Sequence, residues 1–269
     1  MIDSLVSTDW LAEALGAPDL VILDATLAPP GQTTDLRATF EARHIPGACF
    51  LDLAALKSAP DFGVAMEALG VGNGDRIIVY DNSSLHSATR GWWLLRQHGA
   101  RQVAVLDGGL GKWLAEERAV EDGLGEARAA TFTVQREPGR HVTKADVLAG
   151  LAVPLVDARD GPRFRGESHD PRAGIADGHI PGARNLPFAA LYAVDGRLKT
   201  RAEIETLFHE AGINPARPFA ASCGSGVTAT SLLFAAHRLG NDGAKLYEGS
   251  WAEWGADPAT PKELGAPTG

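Results

Sequence analysis

His44-Ile45-Pro46-Gly47-Ala48 returns 135 residues later as His179-Ile180-Pro181-Gly182-Ala183. Around it, in the same order, Leu23-Asp24-Ala25 returns as Val156-Asp157-Ala158 at an offset of 133. Leu106-Asp107-Gly108 followed by Trp113 returns as Tyr247-Glu248-Gly249 followed by Trp254 at an offset of 141. Ordered matches with a slowly drifting offset mark a duplicated domain. In the first copy the apolar pattern alternates between helix and strand. It reads as a helix over 8–15, a strand over 20–24, helix at 66–69, a strand over 76–81, a helix over 89–98 and a strand over 102–106. Such alternation implies an α/β fold in which a mainly parallel sheet is flanked by helices. We therefore expect two tandem α/β domains, residues 1–118 and 141–269, joined by a polar connector, 119–140. The Pro-, Gly- and Ala-rich tail after Trp254 reads as a surface strap or a partly loose end.

The composition narrows the function. A chain of 269 residues, 45% apolar and 22% charged, suits one large or two ordinary globular domains. A net charge of −9 argues against nucleic acid or an anionic membrane as partner. No apolar run has the length of a membrane span. Asp3, Asp9 and Glu13 break up the N-terminal apolar residues, and no basic segment precedes them, so a signal peptide is not expected. Two cysteines, Cys49 and Cys223, make no disulfide framework and favour a reducing cytoplasm. The eight histidines form no ligand-spaced cluster with cysteine, so neither a metal nor an organic cofactor is expected.

The copies differ at one informative place. The second carries Ser222-Cys223-Gly224-Ser225-Gly226-Val227-Thr228 between an apolar run and a helix with Leu232, Leu233, Ala235, Ala236 and Leu239 on its apolar positions. Aligned through the preceding strand, the first copy has Asp81 where the second has Cys223. A small, glycine-containing loop ahead of a helix N-terminus can aim several N–H groups at one atom, which favours a thiolate. The pattern also fits a structural cysteine on a tight turn. One thiol copy and one silent copy favour an enzyme with one active and one supporting domain. In such sheets ligands bind beyond the C-terminal strand ends, where both Asp81 and Cys223 fall. Cys49 reads as a small buried hydrophobe.

With these motifs the chain resembles the tandem rhodanese-type sulfurtransferases over essentially its whole length. The loop Cys-Gly-Ser-Gly-Val-Thr is similar to that of the 3-mercaptopyruvate-using members. Thiosulfate-using members carry basic residues where this chain has Gly224 and Ser225. Phosphatases sharing the fold need an arginine six positions after the cysteine, where this chain has Ala229. The resemblance implies that Cys223 takes sulfur from 3-mercaptopyruvate as a persulfide, releasing pyruvate. The N–H groups of Gly224, Gly226, Val227 and Thr228 would cradle it. The acceptor would be thioredoxin, another small thiol or cyanide. Arg163 and Arg172 match the family's substrate-binding arginines, and bidentate carboxylate binding suits the residue type. Ser225, with His44 and Asp35, matches a polar relay for the substrate proton. Arg159 and Arg165 are expected to be solvated surface charges. A thiosulfate:cyanide sulfurtransferase and a persulfide-carrier module are the alternative readings.

Overall fold

Leu20-Val21-Ile22-Leu23 is apolar without alternation, the pattern of a strand covered on both faces. In the computed structural model, which describes residues 2–56, 61–125 and 127–266, it lies inside a parallel sheet. The chain forms two units. Unit 1 is Met1–Glu137 with Val194–Leu198, and unit 2 is Pro138–Ala193 with Lys199–Gly269.

Unit 1 runs β1 (Leu5–Val6), α1 (Thr8–Ala14), β2 (Leu20–Asp24), α2 (Leu36–Ala42), β3 (Ala48–Phe50), α3 (Leu53–Leu56), α4 (Phe62–Ala68), β4 (Arg76–Tyr80), α5 (Ala88–Gln97), β5 (Gln102–Leu106) and α6 (Gly109–Ala115). Its sheet order is β1-β5-β4-β2-β3, parallel throughout. Unit 2 runs β6 (His141–Val142), α7 (Lys144–Ala149), β7 (Leu155–Asp157), α8 (Gly161–Arg165), β8 (Arg184–Asn185), a 3-10 turn (Phe188–Leu191), α9 (Arg201–Glu210), β9 (Ala220–Ser222), α10 (Ala229–Arg238), β10 (Lys245–Tyr247) and α11 (Ser250–Trp254). Its order, β6-β10-β9-β7-β8, is the same path drawn twice. In each sheet the strand order reverses between the two central strands, β2 and β4 or β7 and β9. That crevice, at the carboxyl ends, is where open α/β sheets bind ligands.

The cores follow from the pattern. Ile22, Ile78, Tyr80, Leu106, Leu110 and Trp113 pack together in unit 1; Leu155, Phe164, Ile180, Tyr247, Trp251 and Trp254 do so in unit 2. Helix starts are fixed locally. Thr143 with Asp146 and Thr200 with Glu203 form capping boxes at α7 and α9, while Asp61 and Asp160 cap α4 and α8. A cap of this kind contributes about 1 kcal/mol.

The duplicated His-Ile-Pro-Gly-Ala motif is a turn with a fixed set of partners. His44 stacks on Phe40 at 4.1 Å, donates from Nδ1 to the Phe40 carbonyl (2.9 Å), and exchanges two backbone bonds with Glu121. The Glu121 carboxylate then accepts from the Gly47 amide (2.8 Å). His179 repeats every contact, with Phe164 for Phe40 and Glu263 for Glu121. The tail is thus fastened as a strap, and Trp254 Nε1 donates to Pro261 O (2.7 Å).

Candidate active site

Cys223 follows β9, whose residues Ala220-Ala221-Ser222 are small and fully covered. Its backbone is gripped from both sides. The Cys223 amide donates to Ser250 Oγ (3.1 Å), and its carbonyl accepts from the Trp251 amide (2.9 Å). The next carbonyl, of Gly224, accepts from the Ala252 amide (2.9 Å) and from Arg172 Nη1 (2.8 Å). Ser250 sits at φ +50, unusual for a residue with a side chain, and its hydroxyl also donates to Tyr247 O (2.8 Å). Unit 1 has Gly109 at this place, at φ +54. A serine accepts the strained backbone here because its hydroxyl holds the cysteine.

The loop is left open toward one point. The amides of Gly224, Ser225, Val227 and Thr228 donate to no acceptor among the described residues. Behind them α10 begins at Ala229, and Thr228 gives it no side-chain cap. The helix N-terminus and the free amides together favour negative charge. Cys223 stands beside them, 1% exposed. Gly226 makes the loop possible: φ is +79, and a Cβ there would come within 2.7 Å of the Glu248 carbonyl. Gly226→Ala is therefore expected to cost unit 2 about 1–3 kcal/mol, measured as a lower urea midpoint. An unchanged midpoint would show that the loop relaxes freely.

The arginine loop meets this nest. Arg172 donates to Asp170 through Nε and Nη2, 2.7 Å each, and lies against Gly224, where a Cβ would be 3.0 Å from Nη2. Asp170 is itself buried, its side chain 1% exposed. Burial opposes its ionisation, but the bonds from Arg172 outweigh that and hold its carboxyl below the usual range, with Arg163 adding to the field. Arg163 caps back onto Asp160 through Nε (2.5 Å), at the start of α8. Two guanidiniums thus converge near Asp170. Three N–H bonds of Arg172 are engaged and the rest of its fork is open; the Nη groups of Arg163 bond to no described residue.

Two sequence expectations change. Arg159 is no surface charge: it is 2% exposed, paired to buried Asp157 (2.7 Å) and laid over the Trp251 ring at 4.6 Å. Isolated in a polar stretch it looked solvated, but Asp157, at the end of β7, supplies the buried counter-charge. Arg165 does lie at the surface, paired with Glu167. Cys49, on β3, is only partly covered, and what burial it has pushes its thiol up. Sequence reading passed over Ser250 and Asp170. Their signals are a serine replacing glycine in the repeated turn, and an acid two residues before an arginine.

The remaining predicted residues belong to unit 1. Asp35 is the N-cap of α2 and accepts from the Ala38 amide (2.9 Å). His44 is buried in the turn described above. Asp81, the counterpart of Cys223, is gripped alike, its carbonyl accepting from the Leu110 amide (3.0 Å). Its carboxylate fills its own loop, accepting from the Ser83 (3.0 Å) and Ala88 (2.6 Å) amides. Burial raises that carboxyl to about 6. Where unit 2 leaves amides open beside a thiol, unit 1 satisfies them with a carboxylate. Among the described residues no cluster of three or more His, Cys, Asp or Glu has metal-binding geometry, and no helix is long and apolar enough to cross a membrane.

Comparison with known proteins adds an independent finding. The model of the rhodanese-like domain matches twice, over residues 7–116 and 143–257. The 3-mercaptopyruvate sulfurtransferase of Escherichia coli K12 is 39% identical over 96% of this chain and 97% of its own length. The human 3-mercaptopyruvate sulfurtransferase is 38% identical, over 93% and 91%. The crystal structure of SseA from Escherichia coli, described as a 3-mercaptopyruvate sulfotransferase with the rhodanese fold, superposes with a TM-score of 0.83 at 37% identity, covering 93% of this chain and 99% of that one.

Proposed function

The chain belongs to the rhodanese-like family, with its domain present twice, and from that premise we propose that it is a sulfurtransferase moving sulfur from 3-mercaptopyruvate through a persulfide on Cys223. One observation carries the reading: a cysteine beside a nest of partnerless amides, with the Arg172 guanidinium bonded to the same loop at Gly224. The Cys223 sulfur attacks the substrate sulfur. The carbon–sulfur bond breaks, its electron pair goes to the carbon as the enolate of pyruvate, and a proton completes the product. The amides of Gly224, Ser225, Val227 and Thr228 stabilise the sulfur-borne charge, and Arg163 and Arg172 hold the carboxylate and the carbonyl where charge develops. A thiol, such as thioredoxin or a small thiol, or cyanide in vitro, removes the outer sulfur. A reducing compartment such as the cytoplasm suits this chemistry.

The donor preference follows from charge. Thiosulfate is a dianion that needs cations at the loop, and Gly224 and Ser225 supply none. A keto-acid monoanion needs only the arginines. Initial rates with both donors, cyanide as acceptor, test this: kcat/KM is expected to favour mercaptopyruvate by at least about tenfold, the worth of one charge-assisted contact. Preference for thiosulfate would overturn the substrate assignment, and no rate with either would favour a carrier.

Ser225, His44 and Asp35 are proposed to manage the substrate proton. Because His44 and His179 have matching structural partners, comparing them isolates the chemistry. His44→Gln and His179→Gln are expected to lower Tm alike, and His44→Gln alone to lower kcat by about tenfold or more. Equal kcat losses in the two variants would leave His44 a purely structural role.

A further inference from the structure

We infer that Arg159 and Trp251 are positioning residues for Cys223, forming a buried assembly that the silent unit lacks. The inference rests on the sulfurtransferase reading and adds to it how the reacting sulfur is held. The chain of contacts is continuous. Asp157 ends β7 and takes the Arg159 guanidinium through Nε (3.1 and 3.0 Å) and Nη2 (2.7 Å), while Nη2 also donates to Gly178 O (2.8 Å). With its edge so engaged, the guanidinium presents a flat face, and that face lies over Trp251. The Trp251 ring is fixed on its other sides. Its Nε1 donates to Ala176 O (2.8 Å), and Gly255 backs it so closely that a Cβ there would be 2.8 Å from the ring. The amide of the same residue holds the Cys223 carbonyl, and its neighbour Ser250 holds the Cys223 amide. The anchored indole thus belongs to the residue that makes one backbone bond on the cysteine and adjoins the residue that makes the other.

The duplication supplies the control. The counterparts of Arg159 and Trp251 are Thr26 and Leu110. Unit 1 keeps the buried Asp24, the same sheet order, and the same bond from the Leu110 amide to the carbonyl at the cysteine place. There Asp24 accepts from the Thr26 hydroxyl (2.5 Å) and the Thr26 amide (2.9 Å), where Asp157 instead takes the Arg159 guanidinium. The fold is therefore complete without the assembly. Burying a paired charge brings little stability over an apolar alternative. The assembly accompanies Cys223, and holding that sulfur is the work left for it.

The test is to write the silent unit's solution into the active one, as Arg159→Thr/Trp251→Leu, with Trp251→Leu as a single variant that leaves the Asp157–Arg159 pair intact. Two readouts are taken on the full chain. In steady-state kinetics kcat is expected to fall by about tenfold or more with KM little changed, because a misplaced nucleophile loses rate rather than binding. In hydrogen exchange the amides of Cys223 and Trp251 are expected to lose about tenfold in protection, while the Lys245 amide, in the adjacent strand, keeps its own. Trp251→Phe, which restores an aromatic face under the guanidinium, is expected to recover most of both losses. A folded variant with unchanged protection at Cys223, or with changed protection and unchanged kcat, overturns the inference. A wild-type chain inert toward every sulfur donor overturns the sulfurtransferase reading instead, and hydrogen exchange still decides whether Arg159 and Trp251 hold the cysteine.

Discussion

Replacing Cys223 with serine is expected to lower sulfur transfer by at least about four orders of magnitude, because no other group in the site can carry the sulfur covalently. A hydroxyl is a far poorer nucleophile at neutral pH, and an oxygen-bound sulfur would be no equivalent of the persulfide. The fold should survive. The side chains differ by one atom, and the hydroxyl oxygen enters a nest where the amides of Gly224, Ser225, Val227 and Thr228 lack acceptors. Those donors offset the desolvation that a buried hydroxyl otherwise suffers, about 1–3 kcal/mol when unsatisfied. The expected result is therefore a near-native Tm with activity at background. Incubation with mercaptopyruvate followed by mass spectrometry should show one added sulfur on the wild-type loop peptide and none on the variant. Turnover retained in the variant would remove Cys223 from the mechanism.

That prediction draws on residues visible in the sequence, and the reason they were visible is physical. The repeat was legible because both copies close the same turn on a carboxylate, Glu121 or Glu263, and that closure needs the same short motif. Central strands were legible because both faces are covered, which leaves the apolar runs at 20–23, 77–80 and 103–106 unbroken. Short edge strands such as β1, β6 and β8 carry too few residues to show a period. Helices α7 and α9 had a readable sign, Thr-x-x-Asp and Thr-x-x-Glu, that periodicity alone does not weigh. In the site, Cys223 and Gly226 announced themselves by chemistry and by backbone need. Arg159 did not, because only the third dimension brings Trp251, 92 positions later, beneath it. Setting the copies against each other would have revealed it: Thr26 against Arg159 and Leu110 against Trp251 are changes that a purely architectural role does not require.

Arg172→Met is expected to lower kcat/KM for mercaptopyruvate by about a hundredfold and for thiosulfate much less, since only the former presents a carboxylate to the fork. The variant does two things at once, and they are separable. It removes a substrate contact, and it strips Asp170 of its two guanidinium bonds, leaving it the residue-172 backbone amide (3.0 Å). The second effect costs about 2 kcal/mol, below the range for fully buried pairs because Arg172 itself is 29% exposed. Its pH dependence has a definite sign. In the wild type the folded carboxyl of Asp170 lies below its unfolded value, so its contribution is present above the unfolded value, near pH 4, and is lost as pH falls through the folded one. Without the guanidinium the folded value moves up from there, because burial still opposes ionisation and two of the bonds set against it are gone. The stability that Asp170 contributes above its unfolded value is then smaller. The Tm deficit of Arg172→Met relative to wild type should accordingly be full at pH 7 and shrink as pH falls below about 4. Adding Asp170→Asn removes the unpaired charge, so the double variant should regain stability at pH 7 without regaining turnover. Recovery of both together would mean that Arg172 serves only to neutralise Asp170, and that the carboxylate of the substrate is read elsewhere.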